Sequence, residues 1–334
     1  PFLFRNHRPK DFVEWKEGMP IRLKTPLKRY EWQDIARGKL SAGEEALDDY
    51  VLIKADGYPT YNFAHIVDDH LMQITHVIRG EEFISSMPKF LATYDVLGWQ
   101  TPEFVTMPPV LNQEGGKKLS KRHGAQPVLE YRQQGYLKEA IINFMASLGW
   151  NDGTDQEIYT LDELISKFRL ERLQKTGAHF NPEKLNWMNG EYIRGLDEDS
   201  LMEHAKDFWP KEAEGFEDEY KLKVLGLVKD RLKYFAELEE LTSFFFKAPK
   251  AEPGDKVDSE TLKEYISLLE EHDFSKDSLE KDSRDFADKK GIKTKHLFMY
   301  LRIAVTGSKI SPGLFETFEV LGQKETINRL KAVS

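Results

Sequence analysis

A change of hydrophobic period near residue 112 constrains this chain more than any other feature. Before it, short apolar runs alternate with amphipathic stretches. Tyr50–Lys54 reads as a strand, followed by turn residues at Asp56-Gly57 and Pro59. From Tyr61, the apolar positions Phe63, Ile66, Val67, Leu71 and Ile74 recur at helical spacing. His76-Val77-Ile78 has the look of a short buried strand, Pro88 to Leu97 of a helix closed by Gly98, and Phe104–Leu111 of a strand again. Strand–helix–strand–helix–strand predicts a parallel sheet with right-handed crossovers. Three strands and two helices amount to half of a doubly wound nucleotide-binding sheet.

Beyond residue 112 the pattern turns helical. Gly115-Gly116 opens a basic loop, Thr160 with Glu163 forms a capping box, and Asn181-Pro182 supplies an N-cap followed by proline at the first helical position. Residues 219–241 carry a long helical period, and 247–258, with Pro249, Pro253 and Gly254 among charges, is the best linker candidate. The expected fold is therefore α/β followed by all-α.

Composition narrows the function classes. A length of 334 residues predicts two or three domains. No apolar run approaches the ~18 residues a membrane span needs. Zero cysteines eliminate disulfides, thiolate zinc sites and cysteine nucleophiles together. The net charge is −9, so a nucleic-acid partner has to be met by a local basic face. Residues 1–40 offer one, with ten Lys/Arg against five Asp/Glu, whereas 201–290 hold sixteen against twenty-four. The chain opens Pro1-Phe2-Leu3-Phe4 with neither methionine nor a signal-peptide pattern, and it reads as a sequence entered in the middle.

Few strings carry chemistry. Lys117-Lys118-Leu119-Ser120-Lys121-Arg122-His123-Gly124 is attractive to polyphosphate; in isolation, a solvated basic loop is the commoner meaning. Its place just after the last sheet strand puts it beyond that strand's carboxyl end, where open α/β sheets bind ligands. Arg79-Gly80-Glu81-Glu82 follows the His76–Ile78 strand. An arginine there can hold a substrate carboxylate through two parallel hydrogen bonds, or can simply pair with a neighbouring glutamate. Asp68-Asp69-His70 reads as polar surface or a helix-end network rather than a metal site, because His65 and His70 do not share a helical face. Trp187 and Phe244–Phe246 read as core. Neither a Ser/His/Asp order nor a Walker-type glycine loop is present.

Taken together, D-G-Y-P-T-Y-N-F-A at 56–64, V-D-D-H-L-M at 67–72, T-H-V-I-R-G-E-E at 75–82 and K-K-L-S-K-R-H-G at 117–124 resemble bacterial-type glutamyl-tRNA synthetase, a class I aminoacyl-tRNA synthetase. F-N-P-E-K-L-N-W-M-N-G-E-Y-I-R at 180–194 and L-R-I-A-V-T-G-S-K-I-S-P-G-L-F-E at 301–316 extend the likeness in order, from about residue 20 to the end. The resemblance implies ATP-dependent attachment of L-glutamate to tRNA(Glu) through a glutamyl-adenylate. It implies ATP with Mg²⁺ as substrate, no zinc and no organic cofactor, no membrane partner, and a cytoplasmic monomer. Charging of tRNA(Gln) as well, as by some bacterial members, is left open.

Carried over residue by residue, Lys118, Ser120, Lys121 and Arg122 fall in the mobile signature loop, with Lys121 stabilising the triphosphate during adenylation and Leu119 against adenine. Glu82 and Phe83 match positions around the ATP site. Tyr61 and Arg79 match residues that hold glutamate, and His65 takes a position filled by asparagine in some relatives. Arg231 falls in the region that corresponds to anticodon binding. The implied organisation is 1–55 as the tail of an acceptor-stem-binding insertion, 56–115 as the second half of a Rossmann-like catalytic domain, and 116–197 as signature loop and stem-contact region. Residues 198–334 follow as a helical anticodon-binding domain divided near 247–258.

The departure from the family is an absent H-I-G-H-like motif; the only early histidine is His7. The expectation is thus a C-terminal part of the enzyme, inactive alone. A non-catalytic tRNA-binding fragment is the alternative. Glutaminyl-tRNA synthetases, which typically continue into β-barrels, and the short enzymes that glutamylate a modified tRNA base fit the helical half poorly.

Overall fold

The computed structural model describes residues 3–11, 13–113, 116–120, 126–254, 257–271 and 273–333. Its strands are β1 (Ile21–Arg22), β2 (Tyr30–Asp34), β3 (Gly38–Ala42), β4 (Val51–Ile53), β5 (His76–Gly80) and β6 (Glu103–Met107). Helices α1 (Tyr61–Leu71) and α2 (Met87–Leu97) intervene before and after β5. The remaining helices are α3 (Val128–Gln133), α4 (Lys138–Ser147), α5 (Leu161–Lys167), α6 (Pro182–Gly195), α7 (Glu198–Ala205), α8 (Asp218–Val228) and α9 (Leu238–Phe246). After these come α10 (Ser259–Glu271), α11 (Lys276–Lys289), α12 (Thr294–Thr306), α13 (Leu314–Leu321) and α14 (Gln323–Lys331). The chain divides into two compact units, residues 1–125 with 143–181 and residues 126–142 with 182–334. No helix among the described residues is long and apolar enough to cross a membrane.

In the first unit, a four-stranded sheet has the order β3-β2-β6-β5. Strand β6 runs parallel to both β5 and β2, and β3 is antiparallel to β2. The expected strand at 50–54 exists as β4, but it pairs antiparallel with β1 in a separate ribbon. The third parallel strand is instead β2, where Tyr30, Trp32 and Asp34 are buried and alternate with exposed Glu31 and Gln33. Its two acidic residues and the charged segment around it disguise a period-two strand. Gly98 closes α2 in the left-handed conformation, as expected. Helix α1, by contrast, stops before Ile74. Gln73 takes φ +56°, its N–H reaches the His70 carbonyl, and the Ile74 N–H reaches the Asp69 carbonyl, a Schellman closure made without glycine. Phe90, Leu91, Ala92 and Tyr94 of α2 pack with Ile66, Val77 and Phe104 into one core under the sheet.

Asp34 is fully buried at the carboxyl end of β2. Its carboxylate accepts from the Ala36 and Arg37 amides at 3.0 and 2.9 Å, and from the Thr106 amide and hydroxyl at 3.2 and 2.5 Å. One charge thus closes the β2–β3 turn and latches β2 to β6.

The second unit is helical. The long period over 219–241 is broken: α8 ends at Val228, and short 3-10 turns at Lys229–Arg231 and Phe235–Glu237 precede α9. Asn189 of α6 holds the chain between the two turns. Its buried amide accepts from the Leu137 N–H at 2.8 Å and donates to the Lys233 carbonyl at 2.5 Å, capturing a backbone group that a continuous helix would use internally. The described residues of 247–258 hold no helix, yet Phe245 and Phe246 before them share one core with Val257 within them and Leu262 after them. Trp187 is 42% exposed, not core as expected, because α6 buries the stripe Leu185, Met188, Asn189 and Ile193 and leaves Trp187 off it.

Replacing Asp34 with alanine strands three buried donors, the Ala36 amide in the β2–β3 turn and the Thr106 amide and hydroxyl in β6. Urea unfolding should show a loss of about 3 kcal/mol or more for Asp34→Ala, and an unchanged midpoint would refute the latch.

Candidate functional site

The side chains that gather at the site come from four consecutive elements of the first unit. Tyr61, His65 and Asp69 stand at i, i+4 and i+8 on α1, and so share one helical face. Arg79 ends β5, and Phe83 lies on the 3-10 turn that follows it. Phe90 of α2 completes the wall.

These residues form an aromatic box around a guanidinium. The Tyr61 and His65 rings stack at 5.0 Å, His65 meets Phe90 edge-on at 4.6 Å, and Tyr61 lies 6.1 Å from Phe83. The Arg79 guanidinium carbon is 5.2 Å from the Phe83 ring centre and 5.1 Å from that of Phe90. Desolvated contacts of this type contribute roughly 2 kcal/mol. Arg79 Nη2 is 3.7 Å from Asp69 Oδ2, too long for a hydrogen bond. Arg79 Nη1 and Asp69 Oδ2 are both buried without a hydrogen-bond partner. A buried charged donor left unmatched costs about 1–3 kcal/mol or more.

The glutamates next to Arg79 do not pair with it. Glu81 accepts from Arg37 Nη2 at 2.9 Å, and Glu82 accepts from Lys118 Nζ at 3.2 Å. Burial pushes the Tyr94 hydroxyl up to about 12, with the Asp69 charge adding to it and Arg79 opposing. The Glu82 carboxyl is held below its usual range, first by its own backbone N–H and then by Lys118.

The signature segment sits beside this box. Leu119 donates its N–H to the Val110 carbonyl at 2.7 Å, and Lys118 bridges to Leu111. Leu111 is itself clasped by the Ala178 carbonyl and the Phe180 amide. Gly177 permits this approach, since a Cβ there would meet the Pro109 carbonyl at 2.6 Å. Through Lys118 and Glu82, the structure brings this strand to the Arg79–Phe83 turn. Ser120 follows directly, whereas Lys121 and Arg122 lie outside the described residues. Arg231 belongs to the second unit, exposed at the end of the Lys229–Arg231 turn. Sequence reasoning missed Asp69 and Phe90 at the box. The four-residue spacing Tyr61–His65–Asp69 was a signal available for the first; for Phe90, helical periodicity indicated burial and no more.

With these arrangements in view, the comparisons give the class. A profile of the tRNA synthetases class I (E and Q), catalytic domain, matches residues 5–187, and one of an anticodon binding domain matches 200–334. The chain is similar to the glutamate–tRNA ligase of Prosthecochloris aestuarii, 40% identical over 356 residues, covering 99% of this chain and 71% of that protein. It is 42% identical to that of Finegoldia magna, covering 94% of this chain and 66% of the relative. A crystal structure of a glutamate tRNA ligase from Elizabethkingia meningosepticum, in complex with its amino acid, superposes with a TM-score of 0.83 at 34% identity, covering 94% of this chain and 68% of that one. The chain belongs to the glutamate–tRNA ligase family of class I aminoacyl-tRNA synthetases.

His65 makes the box sensitive to acid. Its Nδ1 lies 2.8 Å from the Tyr61 carbonyl, so the ring donates there. Burial lowers its pKa from the ordinary 6.5, helped by the Arg79 charge and opposed by the Tyr61 bond and the nearby aspartates. The unfolded chain therefore takes up this proton at higher pH than the folded one. The associated stability is complete above about pH 6.5 and is lost as pH falls through the unfolded and then the folded pKa. Between about pH 7.5 and 5.5, His65→Asn should lose less thermal stability than the unaltered chain. An equal or larger loss would contradict this.

Proposed function

We propose that this chain carries the glutamate-holding and signature-loop parts of a glutamate–tRNA ligase. In that reaction, a glutamate carboxylate oxygen attacks the α-phosphate of ATP and pyrophosphate leaves, giving glutamyl-adenylate. The terminal ribose hydroxyl of tRNA(Glu) then takes the acyl group and AMP departs. The observation that carries the reading is the Arg79 guanidinium, packed near Phe83 and Phe90 with a buried, unmatched Nη1. Such an arginine is preorganised for a carboxylate.

Tyr61 and His65 close the amino-acid side of the pocket, and Glu82 and Phe83 border the nucleotide. Lys118, Ser120, Lys121 and Arg122 belong to the loop that neutralises the triphosphate, with Leu119 against adenine. Preorganised cations of this type lower the barrier by roughly 3 kcal/mol each. ATP enters with Mg²⁺ as substrate. Arg231 faces the anticodon end of the tRNA, within the region matched by the anticodon-binding profile.

These 334 residues contain no H-I-G-H-like string for the phosphates of ATP. We infer that they do not glutamylate tRNA unaided, and that supplying a relative's motif-bearing segment restores turnover. Two measurements test the reading. Labelled glutamate, ATP, Mg²⁺ and tRNA(Glu) should give no charged tRNA with this chain alone and charged tRNA with that segment added; unaided charging would overturn the inactivity, and silence in both cases would contradict the catalytic reading. By calorimetry, Arg79→Lys should weaken L-glutamate binding by about tenfold or more, because lysine cannot offer two parallel N–H donors. Unchanged affinity would remove Arg79 from the pocket.

A further inference from the structure

We propose that Asp69 is the positioning residue of the pocket: it sets the Arg79 guanidinium electrostatically while leaving its donors free for the incoming carboxylate. The inference rests on the reading of Arg79 given above.

Three observations converge on Asp69. First, it lies in the last turn of α1, where a carboxylate opposes the helix dipole. A local rule broken without local compensation points to a role elsewhere. Second, the Schellman closure at Gln73 and Ile74 pins this turn, the Ile74 amide bonding the Asp69 carbonyl at 2.9 Å. The Asp69 side chain therefore projects from a fixed backbone. Third, Glu81 and Glu82 are engaged by Arg37 and Lys118, which leaves Asp69 as the carboxylate that faces Arg79 among the described residues.

The separation of 3.7 Å is what makes this pair useful. A bidentate Asp–Arg pair would satisfy the guanidinium and compete with the substrate. At the observed distance the opposite charge steadies the arginine, and Nη1 keeps its hydrogen-bonding capacity. Asp69 also lines a cavity of about 600 Å³ on the amino-end side of β5 and β6, together with Tyr94, His70 and Glu103. That opening lies beside Asp69, while its Oδ2 stays buried 3.7 Å from Arg79 Nη2.

A double-mutant cycle tests the role, with L-glutamate binding to the full chain followed by calorimetry. Asp69→Asn should weaken binding about tenfold in the unaltered background, because a loosened guanidinium must be ordered by the ligand. In the Arg79→Met background it should change nothing further, since Asp69 acts only through Arg79. Asp69→Glu, which keeps the charge, should recover part of the affinity. Equal losses in both backgrounds would mean a merely structural role and overturn the proposal, as would unchanged binding in Asp69→Asn.

A second measurement does not depend on glutamate. The Arg79 Nε–H resonance, identified by its loss in Arg79→Met, should shift and exchange faster with water in Asp69→Asn, without a comparable change in thermal midpoint. An unaltered resonance overturns the positioning role. Absent glutamate binding in the unaltered chain, with the resonance still responding to Asp69→Asn, would overturn the glutamate reading and leave the positioning role standing.

Discussion

An arginine with unmatched donors inside an aromatic box is the constraint on which the rest of the first unit depends. Arg79 is mostly shielded from water beside Phe83 and Phe90, and its buried Nη1 finds no hydrogen-bond partner. Keeping it in place requires α1, β5, the turn after β5 and α2 to be fixed together. The sheet supplies the frame: β6 between β5 and β2, with Asp34 locking β2 to β6 through Thr106. The unit thus holds a buried donor in place without a hydrogen-bond partner.

The ion pairs divide by magnitude. Lys118–Glu82 joins the signature strand to the pocket turn, but both side chains are more than half exposed. A pair of that kind contributes about 0–1 kcal/mol and is screened by salt. Arg79 and Asp69 sit on the other side of the division, with side chains only 15% and 20% exposed. There the local dielectric is low enough for geometry and charge to set the arginine in place before any ligand arrives.

Most of this architecture was legible in the residues. The periods of α1, α2, β5 and β6, the Gly98 closure and the Thr160–Glu163 capping box all appear where local chemistry dictates them. What stayed hidden depends on tertiary partners. Strand β2 counts one buried aspartate among its inward positions, and only the donors of Ala36, Arg37 and Thr106 make that burial tolerable. Between the 3-10 turns that follow α8, the Asn189 side chain, distant in sequence, takes the Lys233 carbonyl. Within the site, Tyr61, His65 and Arg79 came from motif strings and do meet in space. Asp68-Asp69-His70 reads in sequence as polar surface or a helix-end network, and only the tertiary approach of Arg79 gives Asp69 a charged neighbour.

The most direct measurement is a crystal structure of this chain soaked with L-glutamate. The account predicts a carboxylate within about 3.2 Å of Arg79 Nη1, the aromatic box closed around it and Asp69 still too far from the guanidinium to hydrogen-bond. Glutamate bound elsewhere, or Arg79 closed onto Asp69 with no ligand oxygen at Nη1, would contradict it.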